Sequence, residues 1–464
     1  MGRLIVVSNR VSPPREEGEG TVGGLAMALA AALREHDGVW FGWSGETCES
    51  FTGRLSMERV SGVTVATVDL EEADVRDYYN GYANKTLWPL FHYRLDLMLH
   101  ERAFQQAYAR VNERLADTLT PLVGPEDVVW VHDYHLIPLG RALRARGLKN
   151  RIGFFLHIPW PSRRLLATLP GGRALAQSLF DYDLVGFQTD DARGAFEDYV
   201  RVELGGQVGQ SDGTVRADGR VVRLGTFPIG LDTAAFTAAA ASEEGVRFHE
   251  RMVESAAGRR MIVGVDRLDY SKGLEDRFRA YEEFLEQNPD QHEKVFFLQI
   301  ATPSRDAVEA YQEIHARLDS VSGRINGAYA TVDWVPLRYV NRGYRRDELA
   351  GVYRAARVGL VTPLRDGMNL VAKEYVAAQD PEDPGVLILS RFAGAAAQMG
   401  ASLIVNPFAR EEVADAIARA LNMPLQERKA RWQELFEGVR TQDVSWWRET
   451  FVRALLQEPA DAAA

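Results

Sequence analysis

The sequence has a single cysteine, Cys48, in 464 residues, so no internal disulfide can form and no cysteine cluster can hold a metal. No stretch approaches the roughly 18 consecutive apolar residues that a membrane-spanning helix needs. The apolar run Leu4 to Val7 is too short for the core of a signal peptide, and Val6 stands where a myristoylation signal requires Ser or Thr. Positive charge is in deficit: 54 Lys and Arg against 65 Asp and Glu leave a formal net charge of −11. That balance repels a polyanion and argues against nucleic-acid or anionic-membrane binding. It leaves room for a small anionic ligand held by local arginines. A Walker A loop and the H-E-x-x-H zinc pattern are also missing. The expectation is a cytoplasmic protein with ordinary globular composition.

What is present is an alternation of short apolar runs and helical patterns. LIVVS (4–8), VWFGW (39–43), VTVATVDL (63–70), DVVWVHDY (127–134), RIGFFLHI (151–158) and DLVGFQT (183–189) predict strands in the first half. RMIVGVDRL (260–268), KVFFLQIAT (294–302), VGLVTPL (358–364), GVLILS (385–390) and SLIVNP (402–407) predict strands in the second. Several are apolar throughout, as strands buried on both faces of a parallel sheet must be. Helical stretches such as 24–36 and 370–379 lie between them, which predicts a doubly wound α/β architecture built twice. The strand-poor stretch 232–258 is the expected linker. It sets one domain at 1–231 and a second at 232–443, followed by an amphipathic helix from 444 and a frayed end to 464. In such folds ligands bind beyond the carboxyl ends of the strands.

Polar clusters fall at those ends. Gly23 and Gly24 open a helix, where bare backbone and free N–H groups suit an anion, although a simple turn reads the same way. Arg267 and Lys272 follow a strong strand and can clamp a diphosphate, or be surface charges of a loop. In LVTPLRDGMNLVAKEY (360–375), Asp366 can bind a sugar hydroxyl and the N–H groups of Met368, Asn369 and Leu370 an oxygen. Glu374, one turn inside the helix, suits two vicinal ribose hydroxyls. The alternative is that Asp366 caps the helix and Glu374 complements its dipole. Two strand ends carry His132, Asp133, His135 and His157; a hydroxyl acceptor beside neutral imidazoles accounts for them more economically than a metal. Arg10, Tyr79, Trp88 and Arg305 are residue types that receive phosphate and stack on sugar, but no spacing joins them.

The ordered set of motifs is more specific than any one of them. LIVVSNRVSPP, GGLA, WFGWSGE, LWPLFHYR, WVHDYHL, RIGFFLHIPWPS, DYDLVGFQT, RLDYSKGL, RINGAY and LVTPLRDGMNLVAKEYVAAQ resemble the retaining, UDP-glucose-using α,α-trehalose-phosphate synthases from Arg3 to about Phe451. The resemblance implies the GT-B fold: two facing Rossmann-like domains, an interdomain cleft and a C-terminal crossover helix. It implies donor binding by Gly23, Gly24, Arg267, Lys272, Tyr344, Asp366, Met368, Asn369, Leu370, Val371 and Glu374. It places the acceptor's phosphate on Arg10, Tyr79 and Arg305, its sugar on Asp133 and Trp88, and His157 beside the reacting centre. Catalysis is assigned to Arg267, Lys272, Asp133 and His157, with no cofactor and no metal. The implied reaction joins UDP-glucose and glucose 6-phosphate into α,α-trehalose 6-phosphate and UDP, and the implied assembly is a homodimer or homotetramer.

Two departures are visible: Asp266 stands where the family often has Glu, and Trp160 where Phe is common. Rival readings on the same fold are a pseudo-glycosyltransferase that joins cyclitol units and a non-catalytic sugar-phosphate sensor. Intact acceptor residues speak against the first, and intact donor residues against the second.

Overall fold

A computed structural model describes residues 2–11, 33, 38–60, 62–209, 213–303 and 309–457. Gly23, Gly24, Arg305 and the tail from 458 lie outside the described residues, as does the helix expected over 24–36, Leu33 apart. The chain separates into two units, Met1–Pro228 with Trp447–Ala464, and Ile229–Trp446. Residues 229–231 group with the second unit because it holds their backbone. Lys373 Nζ donates to the Ile229 carbonyl at 2.8 Å, and Val444 N donates to the Leu231 carbonyl at 3.1 Å.

Among the described residues the first unit contains ten strands: β1 (Leu4–Arg10), β2 (Val39–Cys48), β3 (Ser56–Val60), β4 (Val63–Glu71), β5 (Val128–His132), β6 (Ile152–Phe155), β7 (Leu184–Phe187), β8 (Gln207–Val208), β9 (Thr214–Ala217) and β10 (Arg220–Thr226). Their order is β3-β4-β2-β1-β5-β6-β7-β10-β9-β8. From β4 to β10 every pairing is parallel, and β3, β9 and β8 add antiparallel edges. The parallel core explains why Leu4 to Val7, Val128 to His132 and Ile152 to Phe155 are buried without alternation. The edge strand β3 and the interior strand β10 escape the apolar-run criterion because SMERV and RVVRLGT are half polar. A signal existed for one pair: Asp218-Gly219, both at positive φ, make the tight turn between β9 and β10.

The helix Val444–Leu456 returns to this sheet through Trp447, Phe451 and Leu455, all completely buried. Trp130 stacks on Phe451 with ring centroids 4.6 Å apart. Glycine is required beneath it: a Cβ on Gly186 would lie 2.7 Å from the rings of Phe155 and Phe451.

Among the described residues the second unit has a six-stranded, wholly parallel sheet of β11 (Arg260–Arg267), β12 (Val295–Thr302), β13 (Leu337–Val340), β14 (Val358–Val361), β15 (Val386–Ser390) and β16 (Leu403–Val405). Its order, β13-β12-β11-β14-β15-β16, is the 3-2-1-4-5-6 order of dinucleotide-binding folds. Chain order reverses between β11 and β14, and the connections there leave in opposite directions. Folds of this order bind ligands outside the carboxyl ends of those two strands. No helix among the described residues is long and apolar enough to cross a membrane.

Candidate active site

In the first unit the reversal lies between β1 and β5. Arg10 ends β1 and is exposed; Asp133 follows β5, and His157 lies just past β6. Arg10 lies against Trp43, its guanidinium carbon 5.8 Å from the ring centroid. Gly45, at φ +96°, makes room for it, since a Cβ there would come within 2.6 Å of the guanidinium. Trp43 meets Tyr79 edge-on at 5.5 Å, and Tyr79 stacks on His135 at 5.9 Å. His135 touches Tyr134 at 3.9 Å, which in turn contacts Trp88 at 5.7 Å. The structure thus joins Arg10, Tyr79 and Trp88, which no sequence spacing connects, in one run of rings.

Tyr79 and Trp88 are placed by the helical segment that follows β4. Between Val75 and Leu87 it has the wider π form, with the Trp88 N–H bonded to the Ala83 carbonyl five residues back. Its register is pinned at two points. Tyr78 Oη donates to Asn9 Oδ1 at 2.5 Å, beside Arg10, and Tyr134 Oη donates to Asn84 Oδ1 at 3.0 Å.

Asp133 sits at φ 75° and ψ 168°, a strained positive-φ conformation that normally favours glycine. Its Oδ1 accepts from the His157 backbone N–H at 3.2 Å, which locks the two strand ends together. The His157 ring lies between His132 and Gln188: His132 Nδ1 is 3.0 Å from His157 Nε2, and Gln188 Nε2 is 3.5 Å from Nδ1. The two contacts hold the His157 ring in place between its neighbours. Burial pushes the His157 pKa down to about 3; burial and the neighbouring His157 hold His132 well below the ordinary histidine range. Both rings are neutral, a polar wall with no charge. Among the described residues no group of three His, Cys, Asp or Glu is arranged to hold a metal ion.

In the second unit Arg267 is exposed at the end of β11, and Lys272 lies in the turn Tyr270–Lys272. Gly273, at φ 65°, then starts the helix Leu274–Gln287. Lys272 Nζ pairs with Asp366 Oδ2, and Asn369 Nδ2 donates to the same oxygen at 3.1 Å. Asp366 therefore does not cap the next helix. That helix, Leu370–Ala378, has Asn369 at its N-cap position with φ 81° and no side-chain cap, so its first N–H groups remain available. Close backbone packing shapes the turn: Ala395 N donates to the Met368 carbonyl at 2.8 Å, and a Cβ on Gly394 would fall 1.9 Å from the Gly367 oxygen. Leu370 and Val371 form the first turn, half-buried, while Met368 is buried.

Glu374 lies one turn further on. Tyr353 Oη donates to its Oε2 at 3.4 Å, and burial pushes its pKa up to about 7 against the pull of nearby Arg346. Sequence reading overlooked Arg346, the first residue of the helix Arg346–Ala355. Its Nη2 donates to the Asp232 carbonyl at 3.1 Å. Tyr344, in the loop before that helix, has Arg342 over its ring at 4.6 Å.

Each unit thus presents its polar residues where its own strand order reverses. The model of glycosyltransferase family 20 matches residues 3–457. The chain belongs to that family. It is 49% identical to a trehalose-6-phosphate synthase of Sinorhizobium fredii over 98% of both chains. Two solved family 20 structures, each covering 98% of this chain, match it with TM-score 0.94. One is the Burkholderia xenovorans α,α-trehalose-phosphate synthase in complex with glucose-6-phosphate, 49% identical and covered along its whole length. The other is the Escherichia coli enzyme bound with UDP-2-fluoro glucose, 46% identical and 99% covered. The fold is accordingly the α/β GT-B class of that family.

Proposed function

We propose that this chain transfers glucose from UDP-glucose to glucose 6-phosphate, giving α,α-trehalose 6-phosphate and UDP, with retention at the donor carbon. The reading is carried by one arrangement: Arg267, Lys272, Asp366 and Asn369 surround the strand-order reversal of the second unit, in a chain of family 20. Relatives at 46–49% identity hold a UDP-glucose analogue and glucose 6-phosphate, and the residue types here suit both ligands.

In this reading Arg267 and Lys272 take the donor diphosphate. Asp366 accepts a glucose hydroxyl, the N–H groups from Met368 to Val371 receive oxygens, Glu374 accepts the ribose hydroxyls and Tyr344 lies by the uracil. Gly23 and Gly24 let the backbone approach the diphosphate. Arg10, Tyr79 and Arg305 hold the acceptor phosphate, while Trp88 and Asp133 orient its sugar beside His157. The bond from glucose C1 to the diphosphate oxygen breaks, and C1 bonds to the anomeric oxygen of glucose 6-phosphate. The proton of that hydroxyl passes to the departing diphosphate oxygen. No carboxylate nucleophile is needed on this front-face route, and His132 and His157, whose basicity burial lowers, are poor competitors for the proton. Arg267 and Lys272 stabilise the charge that develops on the leaving group, so the reaction proceeds without a divalent ion. The protein is read as a cytoplasmic homo-oligomer, dimer or tetramer, which light scattering decides.

A coupled UDP-release assay tests the reaction with UDP-, GDP- and ADP-glucose. UDP release that depends on glucose 6-phosphate is expected, at a rate unchanged by EDTA. No nucleotide release from any donor would sink the reading, and activity lost in EDTA and restored by Mg²⁺ would remove its metal-free part.

A further inference from the structure

We infer that Arg277 is the positioning residue of the donor-phosphate turn: one buried guanidinium sets where Arg267, Lys272 and the Asp366 loop stand. This rests on the reading that Arg267 and Lys272 hold the donor diphosphate. Arg277 lies on the helix Leu274–Gln287, whose other core-facing positions, Leu274, Phe278, Tyr281 and Phe284, are apolar. It is only 1% exposed. A charge on that face needs partners, and it has one from each neighbouring segment. Nη1 pairs with the carboxylate of Asp266, the residue before Arg267, and donates to Gln299 Oε1 on β12 at 2.8 Å. Nε donates to Thr362 Oγ1 at 2.9 Å, just past β14 and four residues ahead of Asp366. Nη2 donates to the backbone carbonyl of Lys272 itself at 3.2 Å. Gln299 closes the ring by donating from Nε2 to Asp266 Oδ2 at 3.3 Å.

The backbone leaves room for this fork. A Cβ on Gly264 would lie 2.5 Å from Gln299 Oε1 and 2.8 Å from Arg277 Nη1. Asp266 balances the guanidinium charge, so the pair adds no net charge beside the phosphate site and Arg277 acts through geometry. Five donors in a rigid plane can bridge the ends of β11 and β14, the middle of β12 and the Lys272 turn together; a lysine ammonium cannot. Replacing a buried ion pair by apolar residues of similar volume is often neutral or stabilising, so fold stability and site geometry are separable here.

The experiment compares wild type, Arg277→Lys, Thr362→Val and the double variant Arg277→Met/Asp266→Leu. Each folded protein is measured for its UDP dissociation constant, both Michaelis constants, kcat and thermal midpoint. Arg277→Lys is expected to weaken UDP binding and lower kcat by about tenfold or more each, with the glucose 6-phosphate Michaelis constant within about twofold of wild type. Thr362→Val shifts the same constants in the same direction by less. The double variant recovers the melting temperature and does not recover UDP affinity. UDP affinity that returns with the melting temperature would make Arg277 merely structural and overturn the inference, as would unchanged UDP binding in both Arg277→Lys and Thr362→Val. If wild type binds UDP but releases none from UDP-glucose with glucose 6-phosphate, the substrate reading fails instead; weaker UDP binding in Arg277→Lys would still support the positioning role.

Discussion

Glu374 carries a carboxyl whose pKa burial raises to about 7, from an ordinary value of 4.5. Between those values the folded chain holds a proton that the unfolded chain has released. This contribution to stability is present below about pH 4.5 and is lost as pH rises through about 7. Glu374→Gln keeps an oxygen for the Tyr353 hydroxyl and removes that loss. The melting temperature of the variant relative to wild type, without ligand, should therefore be higher at pH 8 than at pH 5. A difference independent of pH would contradict the burial argument. Ionised Glu374 is the better acceptor for ribose hydroxyls, so the donor Michaelis constant should fall as pH rises through 7. His157 and His132 run the other way: their depressed pKa values cost stability as pH falls below about 6.5 and leave both rings neutral at pH 7. At this scale the residue types were legible in the sequence, and their state was not. Nothing local to VAKEY says that Glu374 is half-buried near Arg346 and Tyr353.

Elements were legible where one face or both faces of the chain are apolar throughout. All eleven strands read from apolar runs are present, because a parallel strand buried on both sides is built mostly of apolar residues. The segments that were missed, β3, β8, β9, β10 and β13, are short or half polar. The π form of residues 75–87 was invisible because DYYNGYANKTL contains no marker of a five-residue hydrogen-bond spacing. The packing of the Val444–Leu456 helix rests on glycines in β6 and β7 that sequence reading did not single out. Gly186→Ala would press a methyl group on Phe155 and Phe451 at 2.7 Å. Overpacking of this kind typically costs about 1–3 kcal/mol. Urea denaturation should show a loss in that range with the slope unchanged; no loss would mean that the helix shifts freely.

For the whole molecule, the net charge of −11 opposes anionic partners in general, while the proposed ligands are a nucleotide diphosphate and a sugar phosphate. Local cations resolve the conflict: Arg10 at one strand-order reversal, Arg267 and Lys272 at the other. Free UDP at about 100 times its dissociation constant should therefore stabilise the chain by about 2.7 kcal/mol, measured as a rise in the thermal unfolding midpoint. A midpoint unmoved by UDP would show that those cations do not form a diphosphate site. The amino-acid sequence by itself determined the order of strands and helices, the polar residues at the strand ends and the family, because these rest on short-range patterns and on ordered motifs. Tertiary structure alone decided that Lys272 pairs with Asp366, 94 residues away, and that Arg277 gathers Asp266, Gln299, Thr362 and the Lys272 carbonyl. Those pairings depend on which strands become neighbours. Sheet order is a property of the packed whole, and hydrophobic periodicity along the chain does not contain it.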